Sequence, residues 1–532
     1  MKFHSLFKVF FAAVLLSGIQ VQAQDDPSAD KSGEDGVLVK TYVPELSLYE
    51  ATLLPVLNFD ETIAYTTIKY FEDNVGGMED EDDIWRFERD ADGNWQAGKN
   101  LGPPVNTFST DVAFACSADG NTILVAGNYN KRGFRKAEGY SITRWDGIRW
   151  TTPEQIYIKN YINNGPTYMA SIAGNGLIMT LSIMGTDTRG ELDLYMTTMS
   201  EEHPGTWETP INLGDAINGD NFDAYPHLAA DTKTLYFTKH EAREGYGNAD
   251  IYMTRRLDDT WQKWSKPVNL GLPINTEGED ISPWLSLDGK TLYYVSSLEG
   301  VTQTGVYKTV LPQEWRPEPY AYLSGTLNAD DTEPTWEPRV RAYAVNPNGK
   351  PSLAGHSYST LPNGKYGMTL TMGREYLIEA SAPGYPPEYT SIDLRTEKDM
   401  LKLQHDFYFK RNKSAQEVLS IVYFNTNDTI VGDDARIQLR KAVVPALSKD
   451  GPKVEIVGHA DDQGSEQDNL RLSMRRAKAV ARQLESLGVD YRRLTVRGLG
   501  ESEPASAGDD PDSRKANRRV EIFLVYEGQA GG

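Results

Sequence analysis

The sequence has very little cysteine, since Cys116 is the single thiol among 532 residues. One thiol excludes a disulfide within the chain, so packing and hydrogen bonds must hold the fold together. Cys116 also lies far from the N-terminus, where a cysteine would be needed for lipidation after export. We therefore expect any attachment to a membrane to depend on a partner protein.

Long apolar stretches are missing as well. Nowhere does the chain approach the roughly 18 to 20 apolar residues that a membrane-spanning helix needs. A short apolar run, Phe10–Leu16, follows Lys2 and Lys8 and precedes the small-residue pattern Val21–Ala23. This order is typical of an export signal. The sequence therefore predicts a signal peptide at residues 1–23, a flexible leader at 24–39, and an exported chain that is soluble or peripherally attached.

Basic residues are outnumbered, because 54 Lys plus Arg face 76 Asp plus Glu and give a formal net charge of -22. This balance argues against nucleic acid as a partner, since binding to phosphates needs a basic face. The excess acid is unevenly placed: residues 433–521 hold 17 basic and 16 acidic residues and are nearly neutral. The difference indicates separate domains.

Common hydrolase motifs are also absent, since neither Gly-x-Ser-x-Gly nor His-Glu-x-x-His occurs in the sequence. A serine nucleophile or a zinc site of these types is therefore not visible. Acidic residues are plentiful, however, and two suitably spaced carboxylates are enough to cleave a glycan. An enzyme with such a carboxylate site is the alternative to a non-catalytic protein.

The large middle region contains five tight turns, each between two apolar strands, at spacings of 59, 56, 56 and 57 residues. A second marker and a tryptophan follow each turn. The turn residues are Asp60, Asp119, Asn175, Asp231 and Asp288; the second markers begin at Asp83, Tyr140, Asp193, Asp250 and Gly305; the tryptophans are Trp95, Trp150, Trp207, Trp264 and Trp315. Five copies of about four strands predict an all-β propeller of five blades over residues 40–318.

The turn pattern at residues 225–237 and 283–294 resembles the WD40-like repeats of TolB-type propellers. The resemblance implies blades that bury one another's faces and offer a broad surface to a protein partner. The alternative is a propeller of six blades, in which residues 37–54 pair with the end of the repeat region to form the additional blade. Cys116 falls at a core position of its copy, where the other copies have leucine or isoleucine.

Two acidic stretches in the repeats, residues 79–83 and 90–93, raise the question of calcium binding. The second stretch falls where other copies place plain hairpin turns, such as Trp145–Gly147. The pattern therefore favours solvated turns, and we predict neither a metal nor a cofactor.

Residues 319–409 follow a different pattern, with alternating strands such as Arg339–Val345 and a hairpin turn at Asn348 and Gly349. The Ser-Gly-Thr-Leu opening at 324–327, the Gly-Lys-Tyr turn at 364–366 and the ending Ala382–Tyr385 resemble the carboxypeptidase regulatory-like fold. The resemblance implies a small β-sandwich that acts as a spacer or an interaction platform.

Near the C-terminus, charged residues gather around a strand at Val454 and Ile456, a polar loop at 458–464 and a helix from about Asp468. Residues at helical spacing should form one stripe facing the core and a second stripe beside it. The first stripe comprises Ala477, Val480, Leu484 and Leu487, and the second comprises Asn469, Ser473 and Arg476. The loop carboxylate of Asp461 should therefore lie near the guanidinium of Arg476.

Such a pair suits a ligand that carries an ammonium and a carboxylate on one carbon, because Arg can hold the carboxylate and Asp the ammonium. Spacing alone leaves a second interpretation open. An exposed salt bridge at the start of a helix would have the same spacing and would contribute about 0 to 1 kcal/mol. His459 has no Ser, Cys or metal-ligand partner at a recognisable spacing, so we predict a structural role for it.

Five motifs appear in order between residues 419 and 527, and with them this segment resembles the OmpA-like peptidoglycan-binding domain. They are the strand Val422–Asn427, the loop 458–464, the helix segment 469–480, the strand 494–504 and the closing segment 516–522. The resemblance implies an α/β domain that grips the diaminopimelate of the wall peptide with Asp461 and Arg476. Asn427, Asn469 and Arg518 match supporting positions. The family usually has Asp at the position of Asn425 and Thr at that of Ala460, so this chain lacks one carboxylate and one hydroxyl.

The predicted order is signal, leader, propeller, β-sandwich (319–409), linker (410–418), OmpA-like domain (419–527) and tail (528–532). This order predicts a non-enzymatic periplasmic anchoring protein that is associated with the outer membrane and the cell wall. Peptidoglycan would bind at the C-terminal domain, and an outer-membrane or periplasmic complex, such as secretion machinery, would bind the propeller. The alternative is a hydrolase that the C-terminal domain targets to the wall and whose active site lies on the propeller.

Overall fold

The computed structural model describes residues 20–22, 38–47, 52–79, 82–201, 203, 205–240, 245–297, 304–329, 338–346, 351–359, 364–383, 385–410, 418–432, 435–447 and 452–525. Most of the predicted signal and leader lies outside these residues, as do most of the linker and the whole tail. Within the described part, strands dominate and three α-helices lie in the C-terminal domain.

Five antiparallel sheets of four strands occupy the repeat region of the described residues, and together they are called here the five-sheet ring. Each of the first four sheets takes its strands in sequence order. The strands are 52–57, 63–68, 83–88 and 99–100 in the first sheet; 113–116, 122–129, 135–144 and 154–155 in the second; 169–172, 178–183, 193–198 and 211–212 in the third; 223–228, 234–239, 250–255 and 268–269 in the fourth; and 280–285, 291–297, 304–310 and 41–42 in the fifth.

The sheets follow one another in a closed circle. The first strand of each sheet contacts the first strand of the next, and the fifth sheet contacts the first. The N-terminal strand Thr41–Tyr42 pairs antiparallel with Thr304–Val310 and so becomes the outer strand of the fifth sheet. The start and the end of the repeat region therefore complete one shared sheet rather than begin another.

An asparagine side chain bonds to the backbone of the third strand in three of the five sheets. Asn106 accepts a hydrogen bond from the backbone N–H of Ile84 at 3.0 Å and donates to the carbonyl of Ile84 at 2.9 Å. Asn218 and Asn275 make the same two bonds to Leu194 and Ile251. Each side chain thus imitates a neighbouring strand, and this pairing satisfies buried backbone groups at the third strand.

Residues 320–409 form two sheets that pack face to face as a β-sandwich. Leu323 and Met368 from one sheet meet Val340 and Ile378 from the other in its core. Gln20–Gln22 pairs antiparallel with Leu401–Gln404 at the edge of the first sheet. The strands are 320–329, 364–371, 401–404 and 407–409 in the first sheet, and 339–345, 351–358, 375–381 and 388–393 in the second.

The sandwich covers one end of the five-sheet ring, the end that carries the repeated turns. Lys365 binds Asp60 at 2.8 Å, and the backbone N–H of His356 donates to the carbonyl of Asn175 at 2.8 Å. The turns of the fourth and fifth sheets also contact the sandwich or the segment that leads into it. Their bonds are Glu318 N to Asp231, Thr369 Oγ1 to Ala230 O, and Tyr320 OH to Leu287 O.

The C-terminal domain is a four-stranded sheet covered by helices. The strand order is 418–423, 519–525, 453–458 and 494–498, and the last two strands are parallel. The helices are α1 (Ala435–Leu447), α2 (Glu466–Ser486) and α3 (Pro511–Asn517). Ala477, Val480 and Leu484 of α2 are fully buried, so the predicted core stripe is confirmed for these three residues. Its fourth member, Leu487, follows the end of α2 and is half-buried against the same core.

Short elements complete the described structure. Tyr157–Ile158 pairs in parallel with Thr206–Trp207 between the second and third sheets. Four 3-10 helices span Pro44–Leu46, Gly77–Glu79, Gln313–Trp315 and Tyr491–Arg493.

Candidate ligand-binding site

The predicted site lies where strand 453–458 passes into α2. Ser465 caps this helix by accepting a hydrogen bond from the backbone N–H of Asp468. Gly458 ends the strand against the helix, and a Cβ atom there would lie 2.1 Å from the carbonyl oxygen of Ser473. The absence of a side chain therefore lets the loop 459–464 pack close to α2.

Arg476 on α2 is completely enclosed by protein. Its Nε donates to the carbonyl of Asp428 at 2.9 Å, its Nη2 to that of Asn425 at 2.9 Å, and its Nη1 to that of His459 at 3.2 Å. Burial lowers the pKa of Arg476 to about 10, and the nearby carboxylate of Asp461 opposes that shift. Arg476 therefore carries a positive charge at neutral pH.

The carboxylate of Asp461 is also buried, and its ion pair is with Arg518. Arg518 Nη1 lies 2.9 Å from Asp461 Oδ2, while Arg518 Nε donates to the carbonyl of Phe424 at 3.1 Å. The ion pair thus involves Arg518 rather than Arg476, although Asp461 still acts electrostatically on Arg476. Because Asp461 and Arg476 are both buried, the exposed salt bridge that spacing alone left open is not what the structure shows.

Asn469 positions the loop that carries Asp461. Its Nδ2 donates to the backbone carbonyl of Asp461 at 3.0 Å and also to the carboxylate of Glu501. Glu501 did not enter the predicted site, although it lies in the strand motif at 494–504. Asn427 is exposed with a positive φ of 54°, so it shapes the turn beside the site.

His459 is buried beside the site, in keeping with a structural role. Its Nε2 lies 3.5 Å from Glu521 Oε2, and Arg519 holds the other oxygen of Glu521 at 2.7 Å. Burial is the main cause that lowers the pKa of His459, and the charge of Arg519 adds to it. The imidazole is therefore neutral at neutral pH, and its backbone carbonyl serves Arg476.

Four aspartates of the ring accept hydrogen bonds from neighbouring groups. Asp83, Asp193 and Asp250 each accept a hydrogen bond from an asparagine, namely Asn100, Asn212 and Asn269. Asp90 accepts from the backbone N–H groups of Asp92 and Asn94 within its own turn. Over the described residues, no cluster of three or more His, Cys, Asp or Glu side chains is arranged to hold a metal.

A second concave region lies between the ring and the sandwich. Its cavity measures about 120 Å³ and is lined mainly by apolar groups, including Phe59, Trp207, Trp284 and Tyr358. The thiol of Cys116 lines it too, and burial raises the pKa of that thiol. None of the five predicted site residues lies there.

In the part of the chain that the structure describes, no helix is both long enough and apolar enough to cross a membrane. The OmpA family matches residues 423–518, which include the five predicted site residues. A C-terminal OmpA domain is thereby confirmed.

Similar proteins match the same part of the chain. The outer-membrane lipoprotein YfiB of Pseudomonas aeruginosa is 37% identical over 108 residues, which are 20% of this chain and 64% of that protein. The peptidoglycan-associated lipoprotein of Legionella pneumophila is 42% identical over 77 residues, or 14% of this chain and 43% of that protein. Both matches therefore cover less than two thirds of the relative.

Among solved structures, the peptidoglycan-associated lipoprotein of Burkholderia pseudomallei is 30% identical. The match covers 20% of this chain and 89% of that one, with a TM-score of 0.19.

Proposed function

We propose that this protein is a non-enzymatic anchor that binds the diaminopimelate-containing peptide of peptidoglycan through its C-terminal domain. The observation that carries the proposal is that the buried carboxylate of Asp461 acts electrostatically on the buried guanidinium of Arg476, where strand 453–458 passes into α2. The match to the OmpA family and the printed names of the peptidoglycan-associated relatives support it.

The ligand would be the amino-acid end of diaminopimelate, which carries an ammonium and a carboxylate on one carbon. Asp461 holds the ammonium, because Arg518 and Asn469 fix its position and Arg518 occupies one carboxylate oxygen. Arg476 holds the carboxylate with the two N–H groups that its three backbone hydrogen bonds do not use.

Access to Arg476 depends on the exposed segment 425–430. Two of the carbonyls that cover the guanidinium, those of Asn425 and Asp428, belong to it. Its members Asn425, Asn427 and Ile430 are exposed. The ligand reaches Arg476 when this segment shifts, and its carboxylate then accepts hydrogen bonds from the two N–H groups that the backbone carbonyls do not use.

The five-sheet ring is a five-bladed propeller of the WD40-like, TolB-type class in this proposal, and it serves as the platform for an envelope protein complex. The closed circle of four-stranded sheets, completed by Thr41–Tyr42, supports that assignment. The sandwich is the carboxypeptidase regulatory-like module that joins the wall-binding C-terminal domain to the partner-binding ring. The names of the relatives support a place in the cell envelope, at the outer membrane and the wall.

The test is a sedimentation assay of the full chain with diaminopimelate-containing peptidoglycan. Asp461→Asn and Arg476→Met should leave the protein in solution. Asp462→Asn and Arg475→Met serve as controls, because each alters the neighbouring exposed residue with the same change in charge. If all four variants sediment like the wild type, or all four fail to sediment while folded, the proposed site is wrong.

A further inference from the structure

The second and third strands of the second sheet form a hairpin that continues further from the sandwich than in the third and fourth sheets. Its second strand, 122–129, has eight residues, whereas the equivalent strands 178–183 and 234–239 have six. All three strands begin three residues after their turn residue, so the two additional residues lie at the end away from the sandwich. Because a strand rises about 3.4 Å per residue, the paired strands continue about 7 Å further. The end of this hairpin, residues 129–138, is here called the finger.

The finger packs against the connection that precedes the second sheet, residues 101–112. Gly133 in the turn of the finger has a φ of 82°, and a Cβ atom there would lie 2.8 Å from the Cβ of Pro104. Further along the finger, Arg135 donates a hydrogen bond to the backbone carbonyl of Thr110. Phe108 lies between Pro104 and Thr110 in the sequence. The contacts on either side of it therefore place Phe108 next to the finger.

Two phenylalanines are exposed in this region. Phe134 ends the turn of the finger and is 64% exposed, and Phe108 on the adjoining connection is 84% exposed. A phenylalanine side chain has on the order of 200 Å² of surface, so the two together present roughly 300 Å² of apolar surface to solvent. Apolar patches of this size on a protein surface are often sites of interaction.

The finger is basic, although the chain as a whole is acidic. Lys131, Arg132 and Lys136 are exposed, and none of them forms an ion pair with a residue that the structure describes. Arg135 and Glu138 neutralise each other at 3.0 Å, and Glu138 is the only acidic residue of the finger. The finger thus presents three cations beside two exposed aromatic rings.

We infer that the finger and Phe108 insert into the surface of an anionic lipid bilayer. The phenyl rings enter the boundary between headgroups and acyl chains, and the cations of Lys131, Arg132 and Lys136 contact the lipid phosphates. Apolar burial and electrostatic attraction act together at this boundary, because the lipid phosphates lie directly above the apolar layer. The inference goes beyond the proposed wall anchor and does not depend on wall binding.

The small area and protruding shape of the finger favour a bilayer over a protein partner. A stable protein interface buries about 800 Å² on each partner and fits its apolar groups into a matching surface. Lipids rearrange around a protruding group, so a bilayer needs no such matching surface. The net charge of -22 does not prevent the contact, because charges more than about 8 Å away are largely screened at physiological ionic strength.

The first experiment measures flotation of the full chain with lipid vesicles. The vesicles contain either phosphatidylcholine alone or an equal mixture of phosphatidylcholine and phosphatidylglycerol. Binding to the anionic mixture should be at least about tenfold tighter than binding to phosphatidylcholine, because each basic group near the surface adds attraction. Absence of binding to the mixture, or equal binding to both kinds of vesicle, would overturn the inference.

Two variants separate the apolar contribution from the contribution of charge. Phe108→Ser with Phe134→Ser removes the aromatic rings, and Lys131→Gln with Lys136→Gln removes two of the three cations. All four side chains are exposed, so both variants should give the circular dichroism spectrum of the wild type. Each should bind the mixed vesicles about tenfold more weakly than the wild type. Wild-type affinity in either variant would contradict the inferred mode of binding.

A matched control alters the opposite end of the same sheet. Ile148→Ser with Arg149→Gln removes an exposed apolar group and an exposed cation from the connection that follows the third strand. Ile148 is 85% exposed, much as Phe108 is. This control should bind the mixed vesicles like the wild type. A loss equal to that of the finger variants would show attraction without a defined face and overturn the inference.

A fluorescent label reports where the vesicles make contact. Ser109→Cys places a thiol beside Phe108, whereas the native thiol of Cys116 lines the cavity between the ring and the sandwich. A nitrobenzoxadiazole label on the new thiol should brighten with mixed vesicles, and the same label at Arg149→Cys should not. If a soluble peptide of glutamate and leucine brightens the label and the vesicles do not, the occupant is an acidic protein segment and the inference is wrong. Brightening with protein concentration alone would identify a second copy and overturn it as well.

Discussion

Arg440 and Glu375 form an ion pair with an N–O distance of 3.0 Å between α1 of the C-terminal domain and the sandwich. Both residues are buried. Because a buried charge without its partner is costly, this pair fixes one domain against the other. The C-terminal domain is therefore held at a defined place on the sandwich.

Removing one partner of this pair should loosen the two domains. We expect Arg440→Met to weaken their contact by about 3 to 5 kcal/mol, because Glu375 would stay buried with Arg395 at 3.9 Å as its remaining partner. Small-angle X-ray scattering should show a larger radius of gyration. The double variant Arg440→Met with Glu375→Gln should lie closer to the wild type, and a single variant as compact as the wild type would contradict the prediction.

Wall binding should depend on the charge of Arg476. Burial lowers the pKa of Arg476 to about 10, so the guanidinium loses its proton as the pH rises through that value. Binding of a diaminopimelate peptide should therefore hold from pH 7 to about 9 and fall above that range, as titration calorimetry can measure.

The free energy of unfolding should rise with pH over the range in which wall binding falls. In the unfolded chain the pKa of Arg476 returns to its higher value, so the folded state binds fewer protons above pH 10. Folding therefore releases a proton from Arg476 in this range. Because proton release is easier at higher pH, the contribution of Arg476 to the free energy of unfolding rises as the pH rises. If Arg476→Met changes neither the binding profile nor the unfolding free energy near pH 10, this account is wrong.

Mild acid should destabilise the ring through His227. Its imidazole is buried against Trp284, with 4.6 Å between the ring centres, and burial lowers the pKa of His227 to about 3. The unfolded chain takes up a proton near the ordinary pKa of 6.5, so stability is full above that pH and falls between 6.5 and 3. The loss should be on the order of a few kcal/mol.

Thermal unfolding as a function of pH measures this effect. His227→Phe keeps an aromatic ring on Trp284 and removes the titrating group, so its melting temperature should fall less steeply with acid. His203 is exposed, and His203→Phe should show the wild-type slope. Equal slopes in all three proteins would assign the acid sensitivity to other groups.

The thiol of Cys116 should react slowly in the folded protein. It lines the apolar cavity between the ring and the sandwich, and burial raises its pKa, so little thiolate forms at neutral pH. Iodoacetamide should modify it rapidly only after the protein is unfolded in urea. A control protein with Ser109→Cys on an exposed connection should be labelled at once, and equally fast labelling of Cys116 would contradict its placement.

Some features of the fold and the site followed from local sequence patterns. The five turn residues of the repeats each lie between the first two strands of a sheet, and the five sheets are successive. The helical spacing of Ala477, Val480 and Leu484 predicted that these residues lie in the core, where the structure places them. Such features depend on the two-residue period of strands and the 3.6-residue period of helices, which the sequence displays directly.

Other features depend on residues that are distant in the sequence. The spacing in the sequence predicted that Asp461 lies near Arg476. In the structure Asp461 forms its ion pair with Arg518, 57 positions further along the chain, because strand 519–525 lies beside strand 453–458. The contribution of Glu501 was missed for the same reason, since Asn469 meets it only when the sheet and α2 are packed together.

The sequence by itself determined the repeats, the acidic charge and the residue types of the site, because these are properties of neighbouring residues. Tertiary structure alone decided which groups are paired and which surfaces are covered. Thr41–Tyr42 completes the fifth sheet, the sandwich covers one end of the ring, and Arg440 meets Glu375 only after distant segments have folded together. The physical reason is that hydrogen bonds, ion pairs and burial act over a few ångströms in space, irrespective of separation along the chain.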